Sequence, residues 1–267
     1  MPDILNERSP DGVVTLTLNR PDALNSFSFP MYEELISVLE DLRHDADARV
    51  VILTGAGRAF CAGHDLRSGG PAPWVDPALG KPYAAKHSIT RIAQIPLLMR
   101  SIPQPVIAAV NGAAAGLGFA FALAADMCLV ARSAKFVNAI HNAGTGHELG
   151  MSWMLPRAIG TQRAAEILLT SRPVLADEAE RIGLALRAVD DDHLMAEARA
   201  LAASICANVP LGVWLTKQSL WLNQGVASLE AACEIEARAV FMAQATGDAA
   251  EKRSSFIEKR SPRFNNQ

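Results

Sequence analysis

Cysteine, net charge and long apolar runs are all scarce in this 267-residue chain, and each scarcity removes a class of explanation. The four cysteines, Cys61, Cys128, Cys206 and Cys233, are widely spaced and form no CxxC or Cys/His ligand pattern. Neither a disulfide framework nor a structural metal site is therefore expected, and the thiols read as those of a reduced, cytoplasmic protein. A net charge of −3 leaves no footprint for nucleic acid or for an anionic membrane surface. No uninterrupted apolar run reaches the about 20 residues that span a bilayer. The segment from Met1 to Glu7 lacks a charged region followed by an apolar one, so no signal peptide is expected. There is no Walker motif, and no GxGxxG followed by an acidic ribose partner.

What is present is apolar. Half of the residues are hydrophobic and only 20% are charged, enough for one large domain with a full core. The surplus suggests apolar surface covered between subunits. Val13 to Leu18, Val50 to Thr54 and Val106 to Val110 read as strands, as do Met127 to Ala131 and Lys135 to Val137. Phe29 to Arg43 has apolar residues at helical spacing, with Pro30 suited to the first turn. Ser68 to Gly80 reads as a loop, and residues 84–101 as a helix interrupted or kinked at Pro96. Helices are expected at about 161–170, 176–182, 191–207, 210–223, 227–245 and 248–259. The chain reads as an α/β core of strand-strand-helix units over residues 1–195, then a helical region over 196–267.

Two segments carry the chemistry. One is Phe60-Cys61-Ala62-Gly63-His64-Asp65-Leu66, the other Asn111-Gly112-Ala113-Ala114-Ala115-Gly116-Leu117-Gly118-Phe119-Ala120. Each follows a strand and passes through glycine into helix-like sequence, so backbone amides can turn toward a ligand without a Cβ clash. Two amides aimed at one point make an oxyanion hole. The small, apolar helix after Gly116 would add its positive end. Negative charge developing on a carbonyl oxygen is the chemistry this pair suits.

The pair, in this order and spacing, resembles the crotonase family, also called the enoyl-CoA hydratase/isomerase superfamily. The resemblance runs from about Val13 to Phe264. It includes Leu18-Asn19-Arg20-Pro21 with Ala23-Leu24-Asn25, Leu155-Pro156-Arg157 with Ile159-Gly160, and Phe256-Ile257-Glu258-Lys259-Arg260-Ser261-Pro262-Arg263-Phe264. It implies a crotonase-type spiral with a helical C-terminal trimerisation region, and a homotrimer or hexamer. It implies an acyl-CoA substrate and no cofactor beyond the coenzyme A of that substrate. The oxyanion amides would be those of His64 and Leu117. Coenzyme A would meet the backbone of Ala23, Leu24, Ala62 and His64, and Lys259 would either meet a CoA phosphate or stay solvated. His87, Trp74 and Tyr83 fall where relatives shape the acyl pocket, or simply pack.

The acids depart from the hydratase pattern. Relatives that hydrate place two glutamates about one water; the matching positions here are Ala120 and Ile140, and neither can transfer a proton. One acid remains nearby, Glu148, in His141-Asn142-Ala143-Gly144-Thr145-Gly146-His147-Glu148. Dienoyl-CoA isomerases place an acid there, and 4-chlorobenzoyl-CoA dehalogenase its aspartate, though the tryptophan of that dehalogenase is replaced by Ile140. Glu148 is read either as a proton-transfer group or as an acid at the N-terminus of a following helix. His141 or His147 would assist a water or orient Glu148. Asp65 reads as a cap of the following turn, and Cys61 as a small residue packed beneath its loop rather than a nucleophile. The imidazole of His64 points either to the acyl chain or away from it.

The resulting expectation is an enzyme that isomerises the double bond of an enoyl-CoA through an enolate, with Glu148 as base. Enoyl-CoA hydration or acyl-CoA hydrolysis by a Glu148-activated water is the alternative, and a non-catalytic acyl-CoA-binding protein the third.

Overall fold

β-Branched runs become strands wherever both of their faces can be buried. The computed structural model describes residues 2–67, 72–144 and 146–266; positions 68–71 of the expected loop, and Thr145, lie outside the described residues. β1 (Ile4–Arg8) and β2 (Val13–Leu18) form an antiparallel pair. Ser28 then caps α1 (Phe29–Leu42), its hydroxyl accepting from the Met31 N–H. Three strand-strand-helix units follow. The first has β3 (Val50–Gly55) and β4 (Ala59–Cys61), then α2 (Lys81–Ile92) and α3 (Gln94–Ser101). The second has β5 (Val106–Val110), β6 (Ala113–Ala115) and α4 (Leu117–Ala124). The third has β7 (Met127–Ala131), β8 (Lys135–Val137), a short 3-10 turn Ala139–Ala143, α5 (Met151–Ile159) and α6 (Thr161–Thr170).

The first strand of each unit joins one sheet and the second strand joins another. The larger sheet has the order β1-β2-β3-β5-β7-β10, the smaller β4-β6-β8-β9, once β9 (Val174–Leu175), α7 (Ala176–Ile182) and β10 (Arg187–Val189) are added. Inside the larger sheet the pairing from β2 onward is parallel, with Val13 opposite Val50 and Val51 opposite Val106. β5 is buried at every position, as a parallel strand covered on both faces must be. This is the repeating unit expected from the sequence. Every unit thus ends its second strand next to that of its neighbour, and the turns that follow meet in space.

Some local expectations change. The helix expected over 84–101 is two helices, broken at Ala93 rather than at Pro96. Pro96 lies in the first turn of α3, where its missing N–H costs nothing, so the break moves upstream of it. β1, β4, β6, β9 and β10 carry no β-branched alternation long enough to announce them.

The C-terminal helices are α8 (Leu194–Cys206), α9 (Pro210–Leu222), α10 (Leu229–Gln244) and α11 (Gly247–Ile257). α8 packs against β2, β3, β5 and β7. α9 sends Lys217 into the core, where its ammonium meets Asp126 at 2.9 Å and donates to the carbonyls of Met99 and Gln104. Asp126 also accepts from the Val106 N–H and the Trp221 indole. α10 and α11 leave Leu229, Phe241, Phe256 and Ile257 exposed. No single helix among the described residues is long and apolar enough to cross a membrane.

The Lys217–Asp126 pair ties α9 to the sheet with almost no solvent contact. Lys217→Met keeps the stem and strips the charge, leaving a buried carboxylate uncompensated. Urea denaturation should show a loss of about 3–5 kcal/mol. A loss below about 1 kcal/mol would mean that Asp126 is bound by its two N–H donors alone.

Candidate active site

The site begins with glycines that sit where no side chain fits. A Cβ on Gly118 would lie 2.4 Å from the carbonyl oxygen of Cys61, and one on Gly63 would lie 3.2 Å from the Ala115 oxygen. Gly116 adopts φ 52° and ψ −109°, and Gly63 φ 99°, conformations that L side chains rarely take. The turn after β4 and the turn between β6 and α4 therefore lie directly against each other.

Cys61 fixes their spacing. Its sulfur accepts from the Gly63 N–H at 3.4 Å and also from the Gly118 N–H. Burial pushes its thiol up to about 12. It is a neutral acceptor between two loops, not a nucleophile.

This arrangement leaves two amides. The Phe27 N–H donates to the Gly63 carbonyl at 2.8 Å, and the Asp65 N–H donates to the Phe27 carbonyl at 3.0 Å. His64 lies between them in a parallel bridge, so its own N–H faces away from Phe27. Leu117 is the first residue of α4, where an N–H has no partner within its helix. The Gly63 turn reaches the Leu117 nitrogen, which would lie 3.9 Å from a Cβ on Gly63. The two expected oxyanion amides are thus brought side by side, at the positive end of α4.

The expected coenzyme-binding residues partly converge. Leu24, at φ 53°, accepts from the Ala62 N–H at 3.0 Å, and Ala23 ends the 3-10 turn just before it. Asn25 holds this lip in place: its amide donates to the carbonyls of Ala56 and Ala59, and its oxygen accepts from the Arg20 N–H. Lys259 is exposed in the turn closing α11, and no hydrogen bond among the described residues joins it to the site. Asp65 does cap its turn, accepting from the Arg67 N–H, and it also pairs with Arg20 at 3.0 Å. Hydrogen bonds from Arg20 and Arg67 overcome the cost of burying its carboxyl and hold it below the ordinary range.

Apolar groups stand at the two positions where the family resemblance leads one to expect acids. Ala120 is fully enclosed and Ile140 nearly so, the latter packed toward Gly116. Glu148 is half-buried, and burial raises its carboxyl above the usual carboxylate range. Its helix-capping alternative does not hold. α5 starts at Met151, its N-cap is Gly150, and no side chain caps it. Only the Glu148 carbonyl takes part, accepting from the Met151 N–H. The side chain remains without a hydrogen-bond partner among the described residues.

The histidines divide. His141 is tied through Nε2 to the carbonyl of Leu168 at 3.0 Å and is exposed, so it neither bonds nor orients Glu148. His147 stacks edge-on against it, with ring centroids 5.3 Å apart, and has a buried Nδ1 with no partner. Burial, with His141 beside it, lowers the pKa of His147. Of the three expected acyl-pocket residues, His87 and Tyr83 are exposed on α2, while Trp74 packs edge-on against Phe29 and Tyr32.

Tyr32 is a site residue that the sequence pattern hid. Its hydroxyl meets His64 Nδ1 at 3.0 Å. Burial raises its pKa far above the ordinary phenol, and Cys61 and the negative charge of Glu148 push it further. Tyr32 and Glu148 therefore face one another electrostatically. In the sequence Tyr32 sits inside the apolar stripe of α1 with Met31, Leu35 and Ile36. A phenol in such a stripe needs a polar partner, and that was the available signal.

Comparison with known proteins agrees with this geometry. Residues 8–267 match the family described as enoyl-CoA hydratase/isomerase. A protein of Mycobacterium tuberculosis named "probable enoyl-CoA hydratase" is 42% identical over 263 residues, covering 98% of this chain and 92% of its own length. The 1,2-epoxyphenylacetyl-CoA isomerase of Escherichia coli is 37% identical over 258 residues, covering 95% of both chains. The crystal structure of a "probable enoyl-CoA hydratase/isomerase" from Mycobacterium abscessus superposes with a TM-score of 0.90 at 37% identity, over the whole of both chains.

Gly118→Ala tests the loop contact. The new Cβ must displace the Cys61 carbonyl and spread the two amides. Turnover should fall by about 10²–10³-fold, the cost of losing one oxyanion donor. Gly225→Ala, at a site with open space around the glycine, should leave it unchanged. Steady-state kinetics on both variants decides this.

Proposed function

Since this chain belongs to the enoyl-CoA hydratase/isomerase family, and is an enzyme of that family, we propose that it moves the double bond of an enoyl-CoA by proton transfer. The observation that carries the proposal is the lone acid. Glu148 is half-buried and has no side-chain hydrogen-bond partner among the described residues, while Ala120 and Ile140 occupy the positions of the two acids that hold water in hydrating relatives.

The steps balance on one carboxylate. Ionised Glu148 takes a proton from the carbon flanking the double bond. The electron pair spreads into the thioester, and the His64 and Leu117 amides hold the oxygen of the resulting dienolate. The carboxylic acid so formed returns the proton at the other end of the conjugated system, and Glu148 is ionised again. A raised carboxyl pKa suits the first half, since it makes the carboxylate a stronger base, and the carboxylic acid it forms is still acidic enough to return the proton to the dienolate. Ala23, Leu24 and Ala62 bind the coenzyme portion in this reading, and Lys259 meets a CoA phosphate. No cofactor is required beyond the coenzyme A of the substrate. The apolar side chains exposed on α10 and α11 support a homotrimer or hexamer, and the composition supports a cytoplasmic location.

A second reading has one observation behind it. The buried, unpartnered Nδ1 of His147 lies beside Glu148 in the chain and would hold a water. Hydration of the enoyl group, or hydrolysis of the thioester, would follow from that water.

Turnover of enoyl-CoAs in deuterated water, read by mass spectrometry, separates the two. A shifted double bond at unchanged heavy-atom composition, seen by chromatography beside the mass spectrum, supports isomerisation, with deuterium gained to the extent that the Glu148 proton exchanges with solvent before its return, whereas a product heavier by one water supports hydration. Glu148→Gln should lower isomerisation by about 10²–10⁴-fold. Unchanged turnover in that variant would remove Glu148 from the mechanism. The rate should also depend on pH in one direction. Glu148 acts as a base only when ionised, so activity should fall as pH drops through a midpoint above the ordinary glutamate range. That acid limb should vanish from the residual activity of Glu148→Gln.

A further inference from the structure

The unused polar atoms of the site form a second group, across from Glu148. His64 contributes its amide to the oxyanion pair, yet its imidazole is also ordered. Nδ1 is bonded to the Tyr32 hydroxyl at 3.0 Å, the rings are stacked at 22° with centroids 5.9 Å apart, and the Phe29 ring packs on the imidazole with centroids 5.5 Å apart. Tyr32 is fully enclosed. Its phenol has no other acceptor among the described residues, so it donates its proton to Nδ1. The imidazole proton is then on Nε2, at the opposite edge of the ring, where no described residue accepts it.

A second donor lies in the same aromatic group. The indole N–H of Trp74 is buried without a partner, and its ring stands edge-on against Tyr32 and Phe29. Both are donors, and no acceptor among the described residues answers them. A purely hydrocarbon acyl chain in this place would leave both unmet and dry, which is costly for a buried polar group. A site that holds donors ready selects ligands that bring an acceptor.

We propose that the acyl group of the substrate carries an oxygen acceptor besides its thioester carbonyl, bound by the Nε2–H of His64, with Tyr32 as the positioning residue that fixes the imidazole tautomer. This rests on the reading that the acyl thioester lies against the His64 and Leu117 amides. Burial keeps both members of the pair uncharged, lowering the pKa of His64 and raising that of Tyr32. The pair therefore donates a hydrogen bond and does not deliver a proton. Glu148 remains the only proton-transfer group in the scheme.

Calorimetric titration of the full chain tests this without turnover. The ligands are free coenzyme A, butyryl-CoA with its 2-, 3- and 4-hydroxy derivatives, and phenylacetyl-CoA with its 4-hydroxy derivative. At least one hydroxylated ligand should bind about tenfold tighter than its parent. Tyr32→Phe and His64→Ala should each remove most of that preference, while His64→Gln, which carries an amide N–H at the reach of Nε2, should keep it. Affinity for free coenzyme A reports whether each variant is folded. The proposal is overturned if no hydroxylated ligand is preferred, or if the preference survives in either Tyr32→Phe or His64→Ala. A preference that behaves as expected in a protein showing no double-bond migration would overturn the isomerase reading and leave this one standing.

Discussion

The close approach of two loops over one sulfur atom is the constraint on which the rest of the site depends. Cys61 accepts from Gly63 on one loop and Gly118 on the other, and the glycines leave no room for a Cβ between them. Move either loop by the width of a methyl group and the His64 and Leu117 amides no longer converge. The whole length of the fold supports this contact. Each strand-strand-helix unit places its second strand beside that of the next, so the smaller sheet exists to bring successive turns together. Its strands β4, β6 and β8 are only three residues long, too short to be stable alone. They are held by the larger sheet beneath and by Asn25 and Asn111. The latter accepts from the Gly55 N–H and donates to the carbonyls of Gly57 and Ala59.

Much of the larger sheet could be read in advance because parallel strands buried on both faces must be apolar at every position. Val50 to Thr54 and Val106 to Val110 satisfied that rule. The smaller sheet could not. Ala113-Ala114-Ala115 has no β-propensity, and it is extended only because Lys135 to Val137 and Ala59 to Cys61 flank it. The break between α2 and α3 falls upstream of Pro96 for a related reason. Proline marks where an N–H is not needed, which is the start of a helix as readily as its end.

The two glycine turns were legible because each follows a strand and the pair recurs in one order and spacing, and the fold does bring them into contact. Tyr32 was not, because helical periodicity sorts residues by face and is blind to a hydroxyl within the buried face. His141 and His147 looked equivalent in the sequence. Only the fold distinguishes them, by giving the Nε2 of His141 the Leu168 carbonyl and leaving the Nδ1 of His147 without one.

The carboxyl groups of Asp65 and Glu148 show how one fold assigns different environments to similar side chains. Asp65 lies one residue beyond the His64 amide, is itself almost fully enclosed, and is held ionised by Arg20 and Arg67. Its charge serves to anchor a loop. Glu148 is half-buried with no cation to answer it, and its proton affinity is raised. Environments that push two carboxyl pKa values apart separate a structural charge from a group more ready to take up a proton. The absence of glutamates at Ala120 and Ile140 matters for the same reason. A second carboxylate there would share a proton with Glu148 and hold a water between them. Apolar side chains in those places supply no such second carboxylate.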